Sequence, residues 1–174
     1  MAIRYRVAAV LASAAVLGGG LVLAPSASAS VSQGVVYGAG WGAQVQDDFG
    51  DEGPLDSSSH RHSYATALWQ TILAADGFYT GAIDCDYGSG TTAATKAWQS
   101  AYGSVSDAGH LDADGSAGPL TMGTADQWLE DQGNNRDVVY VGANYNVTFR
   151  RVNGNYQVYD NGAWHNATYS TSSC

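Results

Sequence analysis

The amino-acid sequence predicts an α+β fold: a three-helix unit over residues 63–131 with a small antiparallel β meander over 132–174 packed on it. Three observations predict this. Between residues 63 and 131, apolar side chains recur at three- and four-residue spacing, the period of a helix with one buried face. From Arg136 onward that period gives way to short runs of β-branched and aromatic residues separated by Asn-Gly turns. Two aspartate- and glycine-rich turns punctuate the helical part, at 81–90 and 112–118.

The chain starts with Arg4 and Arg6, then an apolar run from Val7 to Leu23, Pro25, and the small residues Ala27-Ser28-Ala29. This is the pattern of a secretory signal peptide, residues 1–29, cleaved after Ala29. The run is short and glycine-rich for a membrane anchor, and no later run is apolar enough to span, so no membrane contact is expected after cleavage. Residues 30–62 form a segment rich in Gly, Ser and Asp. Within it, Gly34–Val45 has the Val, Tyr and Trp content of a strand or of a segment lying on a core. Asp47 to Gly53 is an acidic loop that continues through Asp56.

The first helix is expected over 63–76. Ser63 is a good N-cap, Ala65, Leu68, Ile72 and Ala75 mark one face, and Gly77 follows Asp76 as a C-terminal stop. A second helix is expected from about Thr92 to Tyr102, with Thr91 as N-cap and Gly103 as stop. Gly88 and Gly90 before it suit a sharp turn with positive φ. A third helix is expected over 119–131, with Pro119 in the first turn, where its missing N–H costs nothing. The sheet strands are expected at Val138–Val141, Val147–Val152, Tyr156–Tyr159 and Trp164–Tyr169, with turns at Asn153-Gly154-Asn155 and Asp160-Asn161-Gly162.

Cys85 and Cys174 are the two cysteines. In an exported chain an even count fits one disulfide, which would tie the last residue to the turn at 81–90. Two free thiols or a bridge to another molecule are the alternatives.

Sixteen acidic against seven basic residues give a formal charge of −9, and removing the leader takes Arg4 and Arg6 with it. Such a surface repels nucleic acid and anionic lipid. Asp84-x-Asp86 and Asp112-x-Asp114 lack the remainder of a calcium loop and are expected as turn residues. His60-Arg61-His62 lacks a third ligand at zinc spacing, so no metal or other cofactor is expected. Glu52 and Glu130 are the only glutamates, neither in a catalytic signature, and Gly-x-Ser-x-Gly is absent. The expectation is a non-enzyme.

The two turns and their helices echo one another: "LWQTILAADG" and "AWQSAYG", then "TGAIDCDYG" and "LDADGSAGP". Gly81, Ile83, Asp84, Tyr87, Gly88, Thr91, Ala94, Trp98 and Gln99, continued by Asp114, Gly115, Gly118, Pro119 and Thr121, resemble the three-helix peptidoglycan-binding domain of secreted bacterial cell-wall proteins. The resemblance covers about residues 64–129. Cys85 departs from it, standing where the family usually has glycine, and the loop from Gly103 to Asp114 is longer than usual.

The resemblance implies a three-helix bundle and a secreted, cell-wall-associated, non-catalytic protein that binds peptidoglycan, through its stem peptide or its glycan. The ligand-binding candidates are Tyr79, Asp84, Tyr87, Thr91 and Trp98: Tyr79 and Tyr87 flank the glycine turn, where a phenol ring either covers a sugar face or an alanyl methyl or packs under the turn. Trp69 and Trp98 are core candidates as well, and Asp84 is expected to accept backbone N–H bonds within its own turn. The alternative is a secreted protein–protein module, such as an inhibitor or accessory of a cell-wall hydrolase, using the meander or the acidic loop.

Overall fold

The computed structural model describes residues 31–38, 44–104, 110–172 and 174; the expected signal peptide lies outside these, as does part of the strand-like stretch 34–45. Three helices, α1 (Tyr64–Ala75), α2 (Ser89–Tyr102) and α3 (Pro119–Ala125), precede an antiparallel sheet of five strands. The strands are β1 (Leu129–Asp131), β2 (Asp137–Val141), β3 (Asn146–Val152), β4 (Asn155–Asp160) and β5 (Ala163–Asn166), in that order across the sheet.

The α+β mixture is present, but the expected three-helix bundle is not. Nine of the twelve residues of α1 are buried, so this helix has no solvent face to speak of and must be covered on more than one side. It packs against α2 and also against β3 and β4. The core is therefore built around one central helix between a second helix and a sheet. It is not built between three equal helices. The third helix is seven residues long and passes through a 3₁₀ turn, Asp126–Trp128, directly into β1. Residues 129–131, expected as helix, pair instead with Tyr140, Val139 and Val138. That pairing buries Leu129, a gain that outweighs a local helical preference of a few tenths of a kcal/mol per residue.

Helix α1 begins and ends as expected. Ser63 Oγ accepts from the Thr66 N–H at 3.1 Å, and Gly77 takes φ +82 just past the helix. Helix α2 starts earlier than expected, with Gly88 as an extended N-cap at φ −81 that makes no side-chain cap bond. The two hairpin turns of the sheet follow their sequence signals. Asn153 and Gly154 have φ 52 and 85, and Asn161 and Gly162 have φ 47 and 84, the paired positive values of a type I′ turn.

The sheet alternates buried and exposed positions. Val138, Tyr140, Phe149, Arg151, Tyr156 and Val158 point inward, while Arg150, Gln157 and Tyr159 lie on the other face. Trp69 and Trp98 meet edge to face at 5.3 Å in the core.

The acidic loop is only partly solvated: Asp47 is exposed, but Asp48 and Glu52 are buried. Val36, Val45, Phe49 and Leu55 are buried in the common core. Val35 and Tyr37 form isolated bridges with Thr168 and Asn155, and Leu55 with Ala117. The buried Asp48 accepts from Arg151 Nη1 at 2.7 Å and from the Tyr156 hydroxyl at 2.5 Å. The buried Glu52 accepts from the Tyr37 N–H at 2.7 Å and from the Tyr169 hydroxyl. The acidic loop thus supplies buried anchors to the sheet.

Candidate functional site

Two buried glutamines organise the turns on either side of α2. Gln70, in α1, donates through Nε2 to Asp84 Oδ1 (2.8 Å), Asp86 O (3.1 Å) and Thr91 Oγ1 (3.0 Å). Its Oε1 accepts from the Asp84 N–H at 3.1 Å. Asp84 closes its own turn by accepting from the Asp86 N–H at 3.0 Å, the Asx turn expected of it.

Gln99, in α2, repeats the arrangement. Its Nε2 donates to Asp114 Oδ1 (3.0 Å), Ser116 O (2.9 Å) and Thr121 Oγ1 (3.0 Å). Its Oε1 accepts from the Gly115 N–H at 2.9 Å, and Asp114 accepts from the Ser116 N–H at 2.8 Å. The echo between the two Trp-Gln helices is therefore a physical repeat. Each glutamine fastens an aspartate turn and the first turn of the next helix to the helix before it. Thr91 is used by this fastening and not as the N-cap.

The residue after each aspartate has positive φ: Cys85 at 60 and Gly115 at 82. The left-handed position is thus Cys85 and not Gly88, contrary to expectation. A β-carbon on Gly88 would meet nothing nearer than Asp86 Oδ2 at 3.6 Å. Cys85 occupies this disfavoured region while bonded to Cys174, 89 residues away. The pairing expected from the sequence is present, and it pins the C-terminal residue to the first turn.

Of the five residues expected near a ligand, the structure buries Tyr87, Thr91 and Trp98. The Tyr87 hydroxyl meets Thr95 Oγ1 at 2.7 Å and donates to Gly115 O at 3.0 Å. Burial raises its pKa far above the ordinary phenol value. Trp98 donates from Nε1 to Asp76 Oδ2 at 2.7 Å, an oxygen shared with the Tyr140 hydroxyl. These three are core. Asp84 is exposed, but its carboxylate is committed to the turn.

Tyr79 lines an open groove. This depression of about 390 Å³ runs between residues 78–81 and the start of α2, over Phe78, Tyr79, Gly81, Gly90, Ala93 and Ala97. The Tyr79 ring lies against Gly81, where a β-carbon would meet its Cζ at 2.7 Å, and near Gly90, where the corresponding distance is 3.7 Å. Its hydroxyl donates to Ala82 O at 3.0 Å, so the ring is held from both ends and its surface is what the groove offers. Phe78, Ala93 and Ala97 were not singled out from the sequence. Their signal is the run of small residues at Gly90, Ala93 and Ala97, which places one small side chain per turn on a single face of α2.

Charge is absent from the groove, and the acids with displaced pKa lie elsewhere. Burial pushes Glu52 up to about 7, against the bonds from Tyr169 and Tyr37. Burial likewise pushes Asp126 up to about 8, against one bond from the Phe49 N–H at 3.0 Å. Asp86 is held below the carboxylate range by Arg61, which bonds it through Nε at 2.6 Å. His62 stands 3.4 Å from the same oxygen, and His60 Nδ1 lies 3.0 Å from Tyr169 O. Among the described residues no group of three or more His, Cys, Asp or Glu side chains is placed to hold a metal ion. No described helix is long and apolar enough to cross a membrane. The disulfide fits an oxidising, extracellular environment. No protein family, curated protein or solved structure matches this chain.

Proposed function

We propose that this chain is a secreted, non-catalytic cell-wall binding protein that takes the peptide stem of peptidoglycan into the groove beside Tyr79. The observation that carries the reading is the lining of that groove. Phe78 and Tyr79 form an aromatic wall, and Gly90, Ala93 and Ala97 a floor of small residues. Such a slot accepts an extended peptide with small side chains, whose methyl groups lie on the ring while its backbone bonds outward to water. Its only titratable side chain is that of Tyr79, so it supplies no carboxylate, thiol or imidazole for bond cleavage. Gln70 braces one edge of the groove, donating from Nε2 to the Tyr79 hydroxyl at 3.4 Å and to Thr91 Oγ1 at 3.0 Å.

Retention on purified sacculi stripped of teichoic acid tests the reading. Tyr79→Ala is expected to weaken retention several-fold, the loss of roughly 1 kcal/mol of ring contact. Ala93→Trp, at an exposed floor position, is expected to abolish it by filling the slot. Salt is expected to change retention little, because no charged group lines the groove. Retention no greater than that of an unrelated acidic secreted protein, or full retention by a folded Ala93→Trp variant, overturns the proposal.

A further inference from the structure

We propose that the outer face of the sheet is a second binding surface, separate from the groove, that takes an uncharged β-linked pyranose chain. The face carries an aromatic pair, one ring exposed and the other half-buried. Tyr159 is 57% exposed, and it stands opposite Trp164 in the β4–β5 ladder. The two rings are 5.2 Å apart and tilted by 56°. Elsewhere in the molecule large aromatic rings are mostly spent in the core or packed against it.

Beside this pair runs a polar row that crosses four strands in register: Asp137, Arg150, Gln157 and Asn166. Gln157 Nε2 donates to Asn166 Oδ1 at 2.8 Å, and the Arg150 guanidinium carbon sits 4.3 Å from the centre of the Trp164 ring. These are flat groups with hydrogen-bonding edges, held in place and next to flat apolar rings.

That combination selects the ligand class. A gluco-configured pyranose in β linkage presents its axial C–H bonds as an apolar face and its hydroxyls as a polar rim. The rings on this surface match the first, and the amide and guanidinium edges match the second. Charge argues for a neutral ligand. Arg150 lies 3.8 Å from Asp137, which Arg136 also contacts at 2.8 Å, so the one carboxylate of the row is already paired and offers nothing to an amine. The net charge of −9 opposes anionic polymers further. Tyr159 and Trp164 lie on neighbouring strands, about 4.8 Å apart, close to the length of one sugar ring in an extended chain. A chain laid across β4 and β5 therefore brings two successive sugar rings over Tyr159 and Trp164.

The test is a titration of chitotetraose, the peptide-free β-1,4-linked tetramer of N-acetylglucosamine, into the folded, ¹⁵N-labelled protein. Saturable shift changes are expected for residues of β3 to β5 and for the Trp164 indole N–H, and none in the groove beside Tyr79. Tyr159→Ala is expected to weaken binding about three- to tenfold, while Tyr159→Phe keeps it, because the ring and not the hydroxyl makes the contact. The α-linked maltotetraose, which coils and cannot lie flat, is expected to bind more weakly. No saturable shift at millimolar sugar, shifts confined to the helical side, or undiminished binding by a folded Tyr159→Ala variant overturns the proposal. The sugar carries no peptide, so an absence of saturable shifts, or undiminished binding by Tyr159→Ala, leaves the stem-peptide reading untouched, whereas shifts in the groove beside Tyr79 would count against both.

Discussion

Replacing Gln70 by methionine removes the hydrogen-bonding end of a buried side chain while keeping its length and shape, and so isolates what the amide does. Four acceptors lose this donor: Asp84 Oδ1 at 2.8 Å, Asp86 O at 3.1 Å, Thr91 Oγ1 at 3.0 Å and, more weakly, the Tyr79 hydroxyl at 3.4 Å. The Asp84 N–H loses its acceptor. The bond to the Asp84 carboxylate is charge-assisted and contributes about 1.5–3 kcal/mol, and a neutral bond contributes about 1 kcal/mol. Two hydrogens on Nε2 are shared among the acceptors, so the bonds do not simply add. Asp84 is exposed and regains water, and the Thr91 hydroxyl, 3.3 Å from Asp86 O, retains that partner. The net loss is about 3 kcal/mol, which for a domain of this size lowers Tm by roughly 6–12 °C. Urea denaturation measures it as a shift in midpoint at constant m. Gln99→Met is expected to cost a similar amount, because its partners repeat those of Gln70. A loss below about 1 kcal/mol for both variants would refute the idea that the glutamines fasten the turns.

The turn glycines are expected to behave oppositely. Gly115→Ala should cost about 1–2 kcal/mol in the same assay, since φ is +82 and the new β-carbon would meet Lys96 Cε and Thr92 Cγ2 at 2.9 Å. Gly88→Ser should instead stabilise by a few tenths of a kcal/mol, supplying the cap that α2 lacks. Stability is expected to fall as pH rises through neutrality. Glu52 and Asp126 are raised to about 7 and about 8, so between their ordinary values and these the native state holds protons that the unfolded chain has released. Their contribution is full below about pH 4 and is lost through about pH 7–8. Urea midpoints taken across that range check it, with Asp126→Asn flattening the slope, and a midpoint that rises with pH over this interval would contradict the assignment. Opening the loop closed by Cys85 and Cys174, by Cys85→Gly with Cys174→Ala, should cost up to about 4–5 kcal/mol on the chain-entropy treatment. Glycine relieves the positive φ at Cys85 and offsets part of this. An unchanged midpoint would show that the bridge constrains little.

The local devices were legible in the sequence because they rest on short-range chemistry. Ser63 and Gly77 bound α1, Asn153-Gly154 and Asn161-Gly162 turn the sheet, and Asp84 closes its own turn, each through bonds or dihedrals within a few residues. The cysteine pair was legible from an even count in a chain with an export pattern, and the structure forms it. Tyr79 was legible as a candidate because it flanks a glycine turn, and the groove beside it follows from Gly81 and Gly90 leaving room for its ring.

What the sequence could not determine depends on which distant segments share a core. The apolar residues of α1 announce a helix but not its neighbours. Burial on nearly every side becomes visible only once the sheet lies against it, and this replaces the expected bundle with a helix between α2 and a sheet. Periodicity carried the third helix to residue 131, yet pairing with β2 claims 129–131 for a strand. The acids at 47–52 read only as an acidic loop, because composition carries no information about partners. Arg151, Tyr156 and Tyr169, more than 100 residues away, supply the bonds that let Asp48 and Glu52 be buried. The same holds for Tyr87 and Trp98, whose polar ends find Thr95, Gly115 and Asp76 in the interior. The sequence by itself thus determined where the chain turns, caps and crosslinks. Only the tertiary structure decided which aromatic and acidic side chains are core and which remain to meet a ligand, because burial is a property of the assembled chain and not of any one segment.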